Sequence, residues 1–211
     1  MAVSGQATKV TRILGIDPGS RLTGYGVLDV AGRSMKPITQ GTLRLSNTGG
    51  KAVIPLEHRL LDIYEGLTRV ILEHRPTVMS IERVFFAKNA VSALKLGQAR
   101  GAAILTAAIH GLDVVEYSPT EVKAAIVGHG GADKDQVARM VGLLTGAKDF
   151  ATSDASDALA LAICHAQTLN SRVGSARTQN TLVRRTNRRM SLAEACGVTA
   201  EQHPGKGPKS R

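Results

Sequence analysis

Four acids border short runs of apolar or small residues: Asp17 follows Ile13-Leu14-Gly15-Ile16, Glu82 follows Val78-Met79-Ser80-Ile81, and Asp154 and Asp157 stand at the head of an Ala-rich run. Gathered in one place, such acids cannot all stay ionised unaided, because like charges a few ångströms apart raise one another's pKa. A divalent cation removes the conflict, and an all-oxygen donor set selects hard ions such as Mg²⁺ or Mn²⁺ over zinc. Two ions bridged by a carboxylate activate water and stabilise a departing oxygen during in-line attack on a phosphodiester. Each acid also has an ordinary reading. Asp17 opens Asp-Pro-Gly, good turn chemistry anywhere; Glu82 can pair with neighbouring Arg83; and acids in a helix's first turn are favoured by the macrodipole alone. The joint reading requires the strands that carry Asp17 and Glu82 to be neighbours.

The elements that must position these acids follow from periodicity. Residues 12–17 read as a buried strand, with Pro18 fixing φ and Gly19 expected at the positive φ of a type II turn. Residues 24–30 and 36–45 read as two further strands, and short connections make the three antiparallel. Residues 46–51, rich in Asn and Gly, read as a loop. Leu56, Leu60, Ile63, Tyr64, Leu67, Val70 and Ile71 recur at three and four, an amphipathic helix that Arg75-Pro76 stops. Residues 77–82 form a strand ending in Glu82. An Ala-rich helix follows to about His110, with Gly111 as left-handed cap, and then a strand over 113–117. Ser118-Pro119-Thr120-Glu121 starts another helix with a capping box. Gly128-His129-Gly130-Gly131 interrupts it, 134–145 resumes as helix, and a last helix runs from Ser153 to about Leu169. Asp154 and Asp157, three apart, share one face of it. The class is α/β: a mixed sheet of three antiparallel strands then parallel ones, with helices on both faces.

Three regions are expected: a flexible N-terminus (1–10), one folded domain (11–169) and a basic, disordered tail (170–211). The net charge is +10, and +7 of it lies from Ser171 onward, where nine Lys and Arg face Glu194 and Glu201. A basic chain points to a polyanionic partner, and with the acids this suggests a nuclease. Cys164 and Cys196 have no metal-ligand spacing and suit a reducing cytoplasm. The longest apolar stretch, 101–109, is too short to span a bilayer, so no membrane is expected.

The motifs Gly15-Ile16-Asp17-Pro18-Gly19-Ser20-Arg21-Leu22-Thr23-Gly24-Tyr25-Gly26, Ile81-Glu82-Arg83-Val84-Phe85-Phe86-Ala87-Lys88-Asn89, Ala93-Leu94-Lys95-Leu96-Gly97-Gln98-Ala99-Arg100-Gly101 and Asp154-Ala155-Ser156-Asp157-Ala158-Leu159-Ala160 resemble the RuvC Holliday-junction resolvase family. The likeness spans residues 12–169. It implies an RNase H-like fold and a homodimer that makes paired, symmetric, Mg²⁺-dependent nicks in four-way DNA junctions, in recombination and repair, together with RuvA and RuvB. It implies two Mg²⁺ per site, with Mn²⁺ as a substitute, held by Asp17, Glu82, Asp154 and Asp157 as catalytic acids. Phe85 matches the family's aromatic that stacks into the junction, and Lys123 and Lys134 match basic residues near the scissile phosphate.

Ordinary readings stand beside these. Phe86 reads as a core residue, Lys123 and Lys134 can be solvated surface lysines, and His129 reads as an exposed loop residue. Cys164-His165 reads as a buried thiol beside a helix-side histidine. Three other functions share parts of the pattern. Actin-like ATPases and sugar kinases open with a similar apolar strand, an Asp and a Gly-containing turn, but need a second copy of the fold and an adenosine site. A related nuclease acting on other branched or RNA-containing substrates fits the same acids. A non-catalytic basic DNA-binding scaffold would leave the four acids as caps and turns.

Overall fold

The computed structural model describes residues 10–19, 21–45, 54–83, 90–147 and 150–176, with side chains of the last segment described to Ser171. The loop expected over 46–51, Phe85, Phe86 and Cys196 lie outside these residues.

The elements run β1 (Thr11–Asp17), β2 (Leu22–Ala31), β3 (Ser34–Arg44), α1 (Leu56–His74), β4 (Val78–Glu82), α2 (Ala90–Ile109), β5 (Asp113–Tyr117), α3 (Pro119–Val127), α4 (Lys134–Thr145) and α5 (Ser153–Ala176). One five-stranded sheet has the order β3-β2-β1-β4-β5. β1 to β3 form the antiparallel meander, while β1 pairs with β4, and β4 with β5, in parallel. Helical crossovers α1 and α2 make those parallel pairings possible.

Alternation along each strand divides the core into two layers. Leu14, Ile16, Val27, Met79 and Ile81 face α1 and α2, where Ile63, Leu67, Ile71, Ala99 and Ala103 meet them. Ile13, Leu28 and Val78 face the other way, toward α3, α4 and α5. The sheet is therefore sandwiched between helices on both faces, as the alternation of strands and helices predicts. Arg12 fastens one end of the sheet: its guanidinium donates to both carboxylate oxygens of Asp29 at 2.6 and 2.8 Å and to the carbonyl of His74 at 2.6 Å.

Helix ends follow local chemistry. Ser118 and Glu121 form the expected capping box, with the Glu121 amide donating to Ser118 Oγ at 3.2 Å and the Ser118 amide to Glu121 Oε2 at 2.7 Å. A second box, Asp133 with Gln136, opens α4. Gly111, Gly128 and Gly146 all take positive φ after a helix. Gly19 does not, so the type II turn predicted there is replaced by a different requirement. A Cβ on Gly19 would lie 2.1 Å from the carbonyl oxygen of Leu22, so glycine is needed for closeness rather than handedness.

α5 differs most from an ordinary amphipathic helix. From Ala155 to Ala166 nearly every side chain is buried, because the sheet covers one side and α3 and α4 the other. Small residues let it sit deep. A Cβ on Gly15 of β1 would lie 1.9 Å from the Ala158 carbonyl oxygen, and one on Gly24 of β2 would lie 2.1 Å from that of Asp154.

Candidate active site

The acids meet through one row of the sheet. Asp17 pairs with Gly24 and Gly24 with Thr42, while Ile16 pairs with Ile81 and Glu82 with Tyr117. Asp17 and Glu82 therefore leave adjacent parallel strands side by side, the condition their joint reading requires, and alternation turns both toward α5. Gly24, beside Asp17 in this row, is the glycine against which the first turn of α5 rests. That turn is held further by Thr152, whose Oγ1 accepts from the Ala155 amide at 3.2 Å and contacts Thr42 Oγ1 at 3.0 Å. Ser80 Oγ donates to the Leu161 carbonyl at 2.8 Å, tying β4 to the same helix farther along. The sheet thus fixes both the depth and the register of the helix that carries Asp154 and Asp157.

As a result Asp17, Asp154 and Asp157 each present a carboxylate oxygen, and these oxygens lie within 4.8 Å of one another. Glu82 lines the same cleft as Asp17 and Asp157. The cleft is about 280 Å³, with Pro119, Val122, Val137, Ala160 and Leu161 as apolar walls and Lys123 and Lys134 beside the acids. Burial, with added repulsion from Glu82, Asp157 and Asp154, pushes Asp17 up to about 7. Burial and Asp157 raise Glu82 as well. The cluster therefore carries more negative charge than its surroundings neutralise. An all-carboxylate oxygen set with unmet charge fits a hard divalent ion, so the residues suit a metal of the Mg²⁺ class.

Lys134 sits among the acids, with Nζ 2.7 Å from Asp157 Oδ2. Its hydrogen bond to Asp157 raises its own pKa, which keeps it cationic. Lys123 lines the cleft without a carboxylate partner among the described residues. Phe85 lies outside the described residues. His129 is exposed, as expected.

The alternative pairing of Glu82 with Arg83 does not occur. Arg83 instead reaches Glu116 at 3.8 Å and Glu121 at 3.9 Å, leaving the Glu82 carboxylate to the cleft. Arg100 stands in the third of the family-like motifs with no role assigned to it there: Nε donates to the Glu82 carbonyl at 3.1 Å while Nη2 pairs with Glu116 at 2.5 Å. Its signal in the sequence is a lone arginine inside the Ala- and Gly-rich run of α2. Cys164 is buried and its thiol is pushed up to about 12 by burial, with repulsion from Glu121, so it stays protonated. His165 is buried beside it, with Nδ1 2.9 Å from the Tyr117 hydroxyl.

Comparison with known proteins agrees with this geometry. A family model described as crossover junction endodeoxyribonuclease RuvC matches residues 13–165. The curated crossover junction endodeoxyribonuclease RuvC of Pseudomonas putida is 51% identical over 164 residues, which is 78% of this chain and 91% of that protein. That of Geobacter sulfurreducens is 51% identical over 155 residues, covering 74% and 92%. Among solved structures, Thermus thermophilus RuvC in complex with a Holliday junction substrate superposes with a TM-score of 0.70 at 31% identity, covering 77% of this chain and 96% of that one. The yeast mitochondrial Holliday junction resolvase Ydc2, at 12% identity and a TM-score of 0.56, shares the fold. On this sequence identity and this coverage, the chain belongs to the RuvC family of crossover junction endodeoxyribonucleases.

Proposed function

We propose that this protein resolves four-way DNA junctions by Mg²⁺-dependent hydrolysis of one phosphodiester in each of two symmetry-related strands, in DNA recombination and repair. The observation that carries the reading is the convergence of Asp17, Asp154 and Asp157 within 4.8 Å, with Glu82 in the same cleft. These four carboxylates would hold two Mg²⁺ ions, with Mn²⁺ able to replace them. When bound, such ions supply polarisation of the phosphoryl oxygens and activation of the attacking water. The side chains do the rest. Asp17 and Glu82, held by adjacent strands, and Asp154 and Asp157, held by the first turn of α5, fix the ligand geometry before substrate arrives. Lys123 and Lys134 attract the phosphate, and Phe85 stacks on a base at the junction, an interaction worth about 1–3 kcal/mol per base.

Paired cutting needs two sites, and a homodimer supplies them. Leu94, Leu105 and Ile109 lie exposed on one face of α2, and Leu61, Tyr64 and Leu72 on one face of α1. Gly97 and Gly101 on α2 have open space where a Cβ would stand, so another helix can approach closely. The protein acts in the cytoplasm, in concert with RuvA and RuvB. The nuclease unit runs from β1 to the end of α5 at Ala176, seven residues beyond the boundary that periodicity predicts, and the basic tail follows it.

The test is incubation with Mg²⁺ and either a four-way junction or a linear duplex of the same sequence. Symmetric nicks are expected in the junction alone. Asp17→Asn is expected to lower the cleavage rate by at least about a thousandfold, a loss of about 4 kcal/mol of transition-state stabilisation, while gel-shift affinity for the junction persists. Equal cutting of the duplex would favour a nuclease of broader substrate range, and binding without cutting by the wild-type protein a scaffold.

A further inference from the structure

Lys134 occupies a position that helix energetics disfavours. It is the first residue of α4, where the helix dipole repels a cation, and the capping there is done by Asp133 and Gln136. Its side chain is directed to the acids. Nζ lies 2.7 Å from Asp157 Oδ2, and Asp154 and Asp17 add to its stabilisation as a cation. The capping box holds the backbone at this point, while the side chain is 59% exposed and that of Asp157 29%. A long flexible stem on a fixed base gives a charge that can turn between the acids and the open cleft.

We propose that Lys134 is the site's exchangeable counter-ion: it neutralises Asp157 in the metal-free protein, yields that carboxylate to the incoming divalent ion, and is thereby released toward the DNA phosphate. The inference rests on the metal-binding reading of the acids given above. Exchange is easy because a part-exposed lysine–carboxylate pair is weak, whereas a divalent ion gains several oxygen ligands at once. A freed ammonium beside a newly bound cation can lower its energy by approaching an anion, and the phosphate to be cut is the anion the cleft admits. Metal and DNA binding therefore become linked, each strengthening the other, as thermodynamic reciprocity requires.

The measurements are Mn²⁺ affinity without DNA, and four-way junction affinity in Ca²⁺ and in EDTA at constant ionic strength, for the wild-type, Lys134→Gln, Lys123→Gln and Asp17→Asn proteins. In Lys134→Gln, Mn²⁺ should bind more tightly, up to about fivefold, the upper range for such a pair. The gain in junction affinity on adding Ca²⁺ should shrink. Lys123→Gln should weaken junction binding in both conditions and leave that gain as it is. Unchanged Mn²⁺ affinity or an unchanged Ca²⁺ gain in Lys134→Gln overturns the counter-ion role while leaving the metal site intact. If the wild-type protein takes up no Mn²⁺ that Asp17→Asn abolishes, the metal-binding reading falls and this inference with it.

Discussion

Asp17 gives the site a pH dependence of known sign. Its native pKa of about 7 lies above its ordinary 3.8, so between those values the folded protein holds a proton that the unfolded chain releases. Stability from this group is complete below about pH 4 and is lost as pH rises toward 7; Glu82 shifts in the same direction. Asp29, lowered by its hydrogen bond from Arg12, and Glu121, lowered by the Ser118 amide, act oppositely. Their window lies below their ordinary values of 3.8 and 4.5, so they add no slope from pH 5 to 7. Metal-free protein should therefore melt at a lower temperature at pH 7.5 than at pH 5. Over that interval the Asp17 shift is a swing on the order of 2 kcal/mol, or roughly 4–8 °C for a domain of this size. Mg²⁺ should restore the loss at pH 7.5 and have little effect at pH 5, and Asp17→Asn should flatten the metal-free profile. Calorimetric scans at the two pH values check this, and a profile that rises with pH in the wild-type protein would reverse the assignment. The same linkage predicts that Mg²⁺ uptake near pH 6.5 releases protons.

Among the elements, α5 sets the dimensions of the site, and glycines in the sheet decide where α5 lies. Gly24→Ala would put a methyl group 2.1 Å from the Asp154 carbonyl oxygen, so either α5 or β2 must move. Overpacking of this kind costs about 1–3 kcal/mol, and here the displaced turn carries Asp154 and Asp157. Gly24→Ala should therefore lose Mg²⁺ affinity and cleavage more than its fall in melting temperature accounts for. Ala166→Gly, buried farther along the same helix, serves as a comparison with a similar stability cost but an undisturbed site. Equal loss of metal affinity in both variants would show that the first turn tolerates the shift. The same elements mark what the chain discloses before folding. Strand ends at Asp17 and Glu82, the Ser118 box and the helix stop at Arg75 follow from local patterns, and each is found where expected. The adjacency of β1 and β4 depends on a crossover, so the meeting of the acids stays conditional until the fold is known. Gly19 shows a different limit: Pro-Gly announces a turn, yet the same pair serves handedness in one turn and close approach in another. The end of α5 shows a third. Apolar periodicity stops near Leu169 while the helix continues to Ala176, because one more hydrogen bond on an existing helix needs no new nucleus.

For the whole molecule, charge is unevenly divided along the chain. Residues 1–170 carry +3 of the net +10, and in the cleft the local sign is negative. Such a unit is suited to reading the shape of a junction, since weak general attraction leaves specific interactions to decide which DNA is held. The residues after Ala176 are the opposite: eight Lys and Arg face two Glu, including the doublets Arg184-Arg185 and Arg188-Arg189. A basic segment of this composition binds phosphate without regard to shape and releases counterions as it does so. Truncation after Ala176 should therefore reduce the dependence of log affinity on log salt by about 0.9 for each phosphate that the segment neutralises, several units if most of the eight cations engage DNA. Affinity for linear duplex should fall more than affinity for the junction, so selectivity for the junction rises. The cleavage rate at saturating protein and low salt should stay the same, because the acids, Lys123 and Lys134 are all retained. Gel-shift titrations across a range of salt with both DNAs decide the matter. An unchanged salt slope would mean that these cations do not touch DNA. An equal fall in affinity for both DNAs with an unchanged ratio would mean that the segment supports junction and duplex binding alike, and that the folded unit supplies all of the discrimination already present in the full chain.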